Sequence, residues 1–296
     1  MTGPRHALVP ACGHEIHVTL WGHPSAKPLV LWHGLARTGR DFDELAVALS
    51  DTHFVLCPDT FGRGLSSWAR APDTDYSVAH MADVAEAVLG HFGIGKAGWL
   101  GTSMGGLVGM FLAAGTRSQR LRYLIVNDIG PEIPQEAIDR ILTYAGTLPV
   151  FTRLAEAEEW LRTVYAPFGQ APDSFWRRMA LTSTRRRGDG QLTLHYDPRI
   201  VLQFETHVDE LTSWDRYARI SLPTHVLAGA QSDILTPAIR QRMRSEGPRP
   251  EVTVIEDCGH APALARGSDA AMVRAIIDTL ETSSLYQNAT KAVQSP

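Results

Sequence analysis

Apolar runs of strand length alternate along this chain with segments whose apolar residues recur at intervals of three and four. Apolar runs of this length are typical of strands that are buried on both faces of a sheet. The strand-like runs occupy residues 28–32, 53–58, 97–100, 123–127, 223–229 and 251–255. Helical spacing lies between them, as at Phe42, Leu45, Ala46 and Leu49. The alternation predicts a parallel sheet with right-handed crossovers.

The N-terminal segments follow a different pattern. Residues 7–9 and 15–21 look like two short strands joined at Gly13, and the second alternates apolar and polar positions in period two. This pattern predicts an antiparallel hairpin at one edge of the sheet. His14 and His17 belong to this region, but no third metal ligand lies near them in the sequence. We therefore predict no metal site.

The strand and helix alternation is interrupted between residues 131 and 214. This stretch carries several amphipathic helical segments and no strand-like run. We predict a helical cap over residues 131–214, inserted into an α/β core of residues 1–130 and 215–283. Such insertions shape pockets and exclude water from an active site. Residues 284–296 are polar and weakly patterned, so we expect a C-terminal tail there.

Composition and charge exclude several classes of function. Hydrophobic residues make up 44% of the 296 positions, and the formal net charge of −4 comes without a long run of one sign. We therefore expect a small-molecule substrate rather than nucleic acid or a membrane surface. The three cysteines lack metal-type spacing, and we expect them to be reduced. The sequence shows no signal peptide and no apolar segment of ~18 residues, so we expect a cytoplasmic protein.

The most informative stretch is Gly101-Thr102-Ser103-Met104-Gly105-Gly106. It lies where the apolar run 97–100 gives way to helical spacing, so we expect a sharp turn from a strand into a helix. Glycines two residues before and after Ser103 avoid collisions in such a turn. The turn would expose the Ser103 hydroxyl as a nucleophile, and the Met104 amide would face a developing oxyanion.

A second informative loop follows the run 28–32 and begins His33-Gly34-Leu35. The backbone amide of Leu35 can face the Ser103 turn and act as the second oxyanion donor. We interpret His33 as a residue that fixes this loop rather than one that moves protons.

Two further groups complete a catalytic triad at the same edge of the sheet. His260 follows the last strand-like run, and Asp233 follows the run 223–229. We predict that His260 takes the proton of Ser103 and that Asp233 orients the imidazole. Asp128, which also follows a strand-like run, is the competing candidate for the acid.

These motifs and their order resemble the α/β-hydrolase fold superfamily across residues 7–282. The matching residues are His33-Gly34, Asp59, Gly62, Gly64, the stretch 101–106, Ser232-Asp233 and Gly259-His260-Ala261-Pro262. The resemblance implies an α/β architecture with a mostly parallel eight-stranded sheet, helices on both faces and a cap after the sixth strand. It also implies a carboxylesterase-like serine hydrolase that uses no metal or organic cofactor.

Subfamilies of this fold differ at the catalytic positions. Haloalkane dehalogenases and epoxide hydrolases use an aspartate nucleophile, whereas position 103 is serine. Carbon–carbon hydrolases of the meta-cleavage type look similar around Gly105-Gly106. They usually carry asparagine and tryptophan where this chain has Thr102 and Ala261.

The first hypothesis is therefore hydrolysis of a small, mainly apolar carboxylic ester or lactone through an acyl-enzyme on Ser103. The alternatives are carbon–carbon bond hydrolysis and a ligand receptor on the same fold with little turnover. The cap would decide substrate size, and no feature of the sequence specifies an oligomeric state. Aromatic cap residues that could line a pocket or only pack the cap are Trp160, Tyr165, Phe168, Phe175 and Trp176.

Overall fold

The computed structural model describes residues 3–293 of the chain. Its strands are β1 (Arg5–Ala11), β2 (His14–Trp21), β3 (Lys27–Trp32), β4 (His53–Pro58), β5 (Ala97–Thr102), β6 (Leu121–Asn127), β7 (Val150–Phe151), β8 (Thr184–Arg186), β9 (Leu192–Leu194), β10 (Thr224–Gly229) and β11 (Glu251–Ile255). Its helices are α1 (Asp43–Leu49), α2 (Pro72–Asp75), α3 (Val78–His91), α4 (Met104–Ala113), α5 (Gln135–Ala145), α6 (Leu154–Val164), α7 (Asp173–Ser183), α8 (Gln203–Thr206), α9 (Trp214–Tyr217), α10 (Pro237–Ser245) and α11 (Gly267–Val293).

Eight strands form one sheet in the order β1-β2-β4-β3-β5-β6-β10-β11. The pairs β1·β2 and β2·β4 are antiparallel, and the remaining neighbours are parallel. The mostly parallel eight-stranded sheet is confirmed, as is the antiparallel hairpin at its edge. The strand β5, which precedes Ser103, lies between β3 and β6 near the middle of the sheet.

Helices cover both faces of this sheet. On one face, Met81 of α3 and Val108 of α4 belong to a cluster that includes Trp32 of β3. On the other face, Leu45 of α1 and Ile277 of α11 share a cluster with Leu31 of the same strand. Adjacent side chains of β3 therefore contribute to opposite layers, as the period of two in a strand requires. Burial on both faces explains why the central strands read as continuous apolar runs.

The inserted segment contains more than the helices that its pattern predicts. The helices α5, α6, α7 and α8 lie within residues 131–214, but so does a three-stranded antiparallel sheet in the order β7-β9-β8. Strands of two or three residues are too short to produce a readable alternation, so the prediction of an all-helical insertion was incomplete. The division between core and cap stays a prediction.

The C-terminal end differs from expectation. The last helix continues through Val293, so the expected tail is helical in residues 284–293, and residues 294–296 lie outside the described part of the chain. Within residues 3–293, the helices lack a span that combines the length and apolar character needed to cross a lipid bilayer.

Candidate active site

Ser103 lies in a strained turn between β5 and α4. Its backbone has φ 52° and ψ −118°, a left-handed conformation that side chains rarely adopt. A Cβ atom at Gly101 would overlap the carbonyl of Gly105, and one at Gly105 would overlap the carbonyl of Trp32. The glycines are therefore required because backbone atoms occupy the space that their side chains would need.

His260 joins Ser103 to a buried carboxylate. Its Nε2 lies 2.9 Å from Ser103 Oγ, and its Nδ1 lies 2.9 Å from Asp128 Oδ2. In this chain of contacts Nδ1 carries a proton and donates it in a hydrogen bond to the carboxylate of Asp128. Nε2 is therefore the nitrogen that can accept the proton of Ser103. Asp128 is fully buried and His260 nearly so. The structure thus brings Ser103 and His260 together as the sequence predicts, with Asp128 as the acid beside them.

Asp233, which the sequence favoured as the acid, does not contact His260. Its carboxylate is 46% exposed and forms a bidentate pair with Arg140, at 2.5 Å from Nε and 3.0 Å from Nη2. The prediction that Asp233 orients His260 is therefore wrong. The loop after β10 does reach the site, since Ser232 bonds to Asp128, but the side chain of Asp233 pairs with Arg140 instead of His260.

The carboxylate of Asp128 is fixed by neighbours from the β10 loop. Its Oδ1 accepts the backbone N–H of Gly229 at 2.8 Å, and its Oδ2 accepts the hydroxyl of Ser232 at 2.7 Å. Asp128 itself has a left-handed φ of 60°. The Ser232-Asp233 motif therefore contributes to the site through its serine, which orients the acid, and not through its aspartate.

The loop that carries Leu35 lies against the Ser103 turn. A Cβ atom at Gly34 would stand 3.6 Å from that of Ser103, so the two backbones approach closely. Leu35 and Ser103 line the same cleft, and Met104 is the first residue of α4. Within residues 3–293, neither amide donates a hydrogen bond to a protein acceptor, which leaves both available to an oxyanion.

His33 fixes this loop through both ring nitrogens. Its Nδ1 donates to the carbonyl of Gly34 at 2.6 Å, and its Nε2 accepts the backbone N–H of Thr60 at 2.9 Å. Burial lowers the pKa of His33 to about 4, so the ring stays neutral in this arrangement. The structure therefore gives His33 the positioning contacts that the sequence analysis assigned to it.

Arg63 is a residue of this site that the sequence analysis missed. Its buried guanidinium donates from Nε to the carbonyl of Leu35 at 2.8 Å and from Nη1 to the carbonyl of Phe61 at 2.9 Å. Its Nη2 lies 3.3 Å from the sulfur of Met104. One side chain thus contacts both residues whose amides face the expected oxyanion position. The run Phe61-Gly62-Arg63-Gly64 was interpreted only as a loop, and nothing in its spacing indicates where the guanidinium points.

A narrow cleft opens beside Ser103 and His260. Its apolar walls come from Leu35, Ala36, Ile141, Val164 and Phe168. Its polar walls come from Arg37, Arg140, Tyr144 and Tyr165. Of the five aromatic residues singled out in the sequence, Tyr165 and Phe168 line the cleft. The other three pack within the insertion: Trp160 against Phe151, and Phe175 against Trp176.

Arg37 places a buried positive charge in the wall of this cleft. Its Nε and Nη2 donate to the two carboxylate oxygens of Asp41 at 2.8 and 2.7 Å, and Nη2 also donates to Ser183 at 2.8 Å. The guanidinium lies 4.9 Å from the ring centre of Tyr165. Burial opposes the charge of Arg37, but the carboxylate of Asp41 raises its pKa above the ordinary value. The cleft therefore contains fixed hydrogen-bond donors as well as apolar surface.

The chain and its fold match those of known hydrolases. Residues 27–265 match the family model described as alpha/beta hydrolase fold. The chain is 36% identical over 268 residues to a 3-hydroxybutyrate-oligomer hydrolase of Cupriavidus necator, an alignment that covers 87% of this chain and 90% of that protein.

Two solved structures are similar over almost their whole length. A putative hydrolase from Rickettsia typhi superposes with a TM-score of 0.84 at 28% identity, over 94% of this chain and 97% of that one. An alpha/beta hydrolase from Novosphingobium aromaticivorans superposes with a TM-score of 0.82 at 30% identity, over 94% and 99% of the two chains.

Proposed function

Because this chain belongs to the alpha/beta hydrolase fold family and is a hydrolase of ester bonds, we propose that it cleaves short oligoesters of hydroxy acids through an acyl-enzyme on Ser103. The observation that carries the proposal is the hydrogen-bonded chain from Ser103 through His260 to Asp128, which opens into the cleft. Hydrogen-bond reach between nucleophile, base and orienting acid is the arrangement that activates a serine.

The proposed reaction has two halves. His260 Nε2 takes the hydroxyl proton as Ser103 Oγ attacks the ester carbonyl, and the imidazolium is stabilised by Asp128. The amides of Leu35 and Met104 stabilise the oxyanion, which collapses as His260 returns the proton to the leaving alcohol. A water molecule, deprotonated by His260, then attacks the acyl-enzyme and releases the acid and Ser103.

The composition of the cleft supports an oligoester over a purely apolar ester. Apolar side chains such as Ile141 and Val164 suit short alkyl branches, while the hydroxyls of Tyr144 and Tyr165 suit additional carbonyl or carboxylate oxygens. A hydroxy-acid oligomer carries both kinds of group in regular alternation. The relative from Cupriavidus necator, which is named for 3-hydroxybutyrate oligomers, supports the same substrate class.

The test compares the linear dimer and trimer of 3-hydroxybutyrate with p-nitrophenyl esters of graded acyl length and with lactones. We expect multiple turnovers on the oligomers, and a loss of kcat on the order of a million-fold in Ser103→Ala. A phosphonate ester should label the wild-type protein at Ser103 and leave Ser103→Ala unlabelled.

The outcomes separate the competing functions. Turnover of simple esters but not of the oligomers would overturn the substrate class and leave the serine hydrolase intact. Oligomer binding without turnover would support a receptor. Cleavage confined to carbon–carbon substrates of the meta-cleavage type would favour that alternative.

A further inference from the structure

Three side chains of types that can bind a metal ion lie close together beside Phe61, on the side opposite Tyr76. They are His14 of β2, Asp75 of α2 and His80 of α3, and one donor atom from each lies within 4.8 Å of the other two. The sequence showed no third ligand near His14 because Asp75 and His80 are distant in the chain. The fold supplies them by placing α2 and the first turn of α3 beside the start of β2.

The spacing of the two imidazoles fits a shared metal ion. His14 Nε2 and His80 Nε2 lie 3.1 Å apart. Two nitrogen ligands at roughly 2.0–2.1 Å from one ion stand about 2.9–3.4 Å apart, for angles between octahedral and tetrahedral. Asp75 Oδ2 accepts the backbone N–H of Ala71 at 3.0 Å. This bond orients the carboxylate and leaves lone pairs for an ion.

Packing holds both rings in position without an ion. His14 is buried and stacks on Phe61 with ring centres 4.1 Å apart and an interplanar angle of 6°. His80 meets the same ring edge-on at 5.5 Å.

We propose that His14, Asp75 and His80 bind one divalent transition-metal ion of the Zn²⁺ type. Two imidazoles and a carboxylate suit Zn²⁺ and its neighbours in the first transition row, whereas Mg²⁺ and Ca²⁺ prefer oxygen ligands. Of the three ligands, His14 also lines a surface cavity of about 490 Å³.

A second histidine pair serves as an internal control. His6 Nδ1 and His17 Nε2 lie 2.9 Å apart, a spacing similar to that of His14 and His80. The nearby carboxylate of Asp59, however, binds the other nitrogen of His17, Nδ1, at 2.8 Å. The Asp59 carboxylate therefore lies beside Nδ1 of His17 and does not face the gap between His6 Nδ1 and His17 Nε2. The pair His14 and His80 thus has a third candidate ligand beside it, whereas, within the described part of the chain, no carboxylate faces the gap in the pair His6 and His17.

The ion would join three elements that otherwise meet through side-chain packing. It would hold β2, α2 and α3 together beside Phe61, whose other neighbour is Tyr76 at 5.5 Å between ring centres. Tyr76 donates its hydroxyl to Asp197 of the inserted segment at 2.8 Å. Because only the folded chain assembles the three ligands, bound metal should increase the free energy of unfolding with the logarithm of the metal concentration above the dissociation constant.

The experiment titrates metal-free full-length protein with Zn²⁺ in a calorimeter and records the thermal unfolding midpoint in parallel. We expect one equivalent of Zn²⁺ to bind and the midpoint to rise, with no effect of Mg²⁺. Co²⁺ should give a visible absorption spectrum with nitrogen ligation. His80→Gln and Asp75→Asn should each weaken Zn²⁺ binding by at least about 10- to 100-fold, since changes of groups that merely support ligands already cost that much.

Matched variants identify where the ion binds. Asp73→Asn removes an exposed carboxylate from the same short helix, and His6→Gln breaks the second histidine pair; both should bind Zn²⁺ like the wild type. We do not substitute His14 in this experiment, because its ring packs on Phe61. The proposal is overturned if no saturable equivalent binds, if binding survives both His80→Gln and Asp75→Asn, or if His6→Gln abolishes it. Failure here leaves the hydrolase proposal untouched, since none of these residues lines the cleft.

Discussion

Arg63 donates a hydrogen bond from Nε to the backbone carbonyl of Leu35 at 2.8 Å. The same guanidinium holds the carbonyl of Phe61 and lies against the sulfur of Met104. Burial lowers the pKa of Arg63 to about 10, so it remains a cation at neutral pH. Its fixed donors therefore hold the carbonyl of Leu35 and restrict the backbone of the residue whose amide is one proposed oxyanion donor.

We expect Arg63→Lys to lower kcat with little change in KM. Lysine keeps the charge, but its single ammonium cannot reproduce the planar fork that holds Leu35 and Phe61 together. Misdirecting one oxyanion donor should approach the ~100-fold cost of removing it. The measurement is steady-state kinetics on a p-nitrophenyl ester. Arg199→Lys is the matched control, because Arg199 is 48% exposed and pairs with Asp197 outside the cleft. An unchanged kcat, or a change in KM alone, would contradict the assignment.

The contacts of His260 predict unequal effects for the two candidate acids. Asp128→Asn should lower kcat by ~10,000-fold, because the amide no longer accepts the Nδ1 proton and the imidazole loses its productive tautomer. Asp233→Asn, the same change at a carboxylate that pairs with Arg140 at the surface, should retain most of the turnover. Both are measured with the same ester, and circular dichroism checks the fold. A large loss in Asp233→Asn with a tolerant Asp128→Asn would sink the triad described here.

The choice between these two acids marks the limit of what the sequence could predict. Asp128 and Asp233 each follow a strand, so their local patterns are equivalent. The deciding fact is that the side chain of Asp128 contacts His260 whereas that of Asp233 pairs with Arg140, and side-chain direction is not encoded in the spacing of apolar residues. Ser103 was predictable because its glycines act through local backbone geometry, which a short motif does encode.

The cleft and the cluster around His14 show the same limit at greater range. Tyr165 and Phe168 could be named in advance, but their role could not be separated from that of Trp160, since side-chain direction depends on how the insertion packs. His14 gained Asp75 and His80 as neighbours only through the tertiary fold. The sequence thus predicted the pair Ser103 and His260 through their motifs, but it did not predict which side chains without a motif would meet.

The tight approach between Gly101 and Gly105 predicts a large stability effect. In Gly101→Ala the added methyl group would overlap the carbonyl of Gly105, a backbone atom in the first turn of α4 that cannot rotate away. We expect a loss of about 3 kcal/mol or more in the free energy of unfolding, at the upper end for overpacked sites. Urea denaturation measures it. Gly95→Ala is the control, since its Cβ would meet no atom within 4 Å. A Gly101→Ala protein as stable as the control would show that this contact is not restrictive.

The buried carboxylate of Glu281 predicts that part of the free energy of unfolding depends on pH. Lys27 and His53 both approach its carboxylate, which is 14% exposed. Burial alone would raise the pKa of Glu281, but the neighbouring His53 and Lys27 outweigh it and lower the pKa to about 2 from 4.5. A depressed carboxyl pKa stabilises the folded state above pH 4.5, and that contribution disappears as the pH falls towards 2.

Glu281→Gln should therefore reduce the free energy of unfolding at pH 7 by up to about 3 kcal/mol, from 1.36 kcal/mol for each unit of pKa shift. The difference from the wild type should narrow steadily as the pH is lowered from 4.5 towards 2. Urea unfolding of both proteins across this range provides the measurement. Asp51→Asn is the control. It breaks an exposed pair between Asp51 and Arg274, which lies in the same helix as Glu281, and it should reduce the free energy of unfolding much less at every pH. A wild-type and Glu281→Gln difference that is constant with pH would mean that the carboxylate charge does not stabilise the folded state.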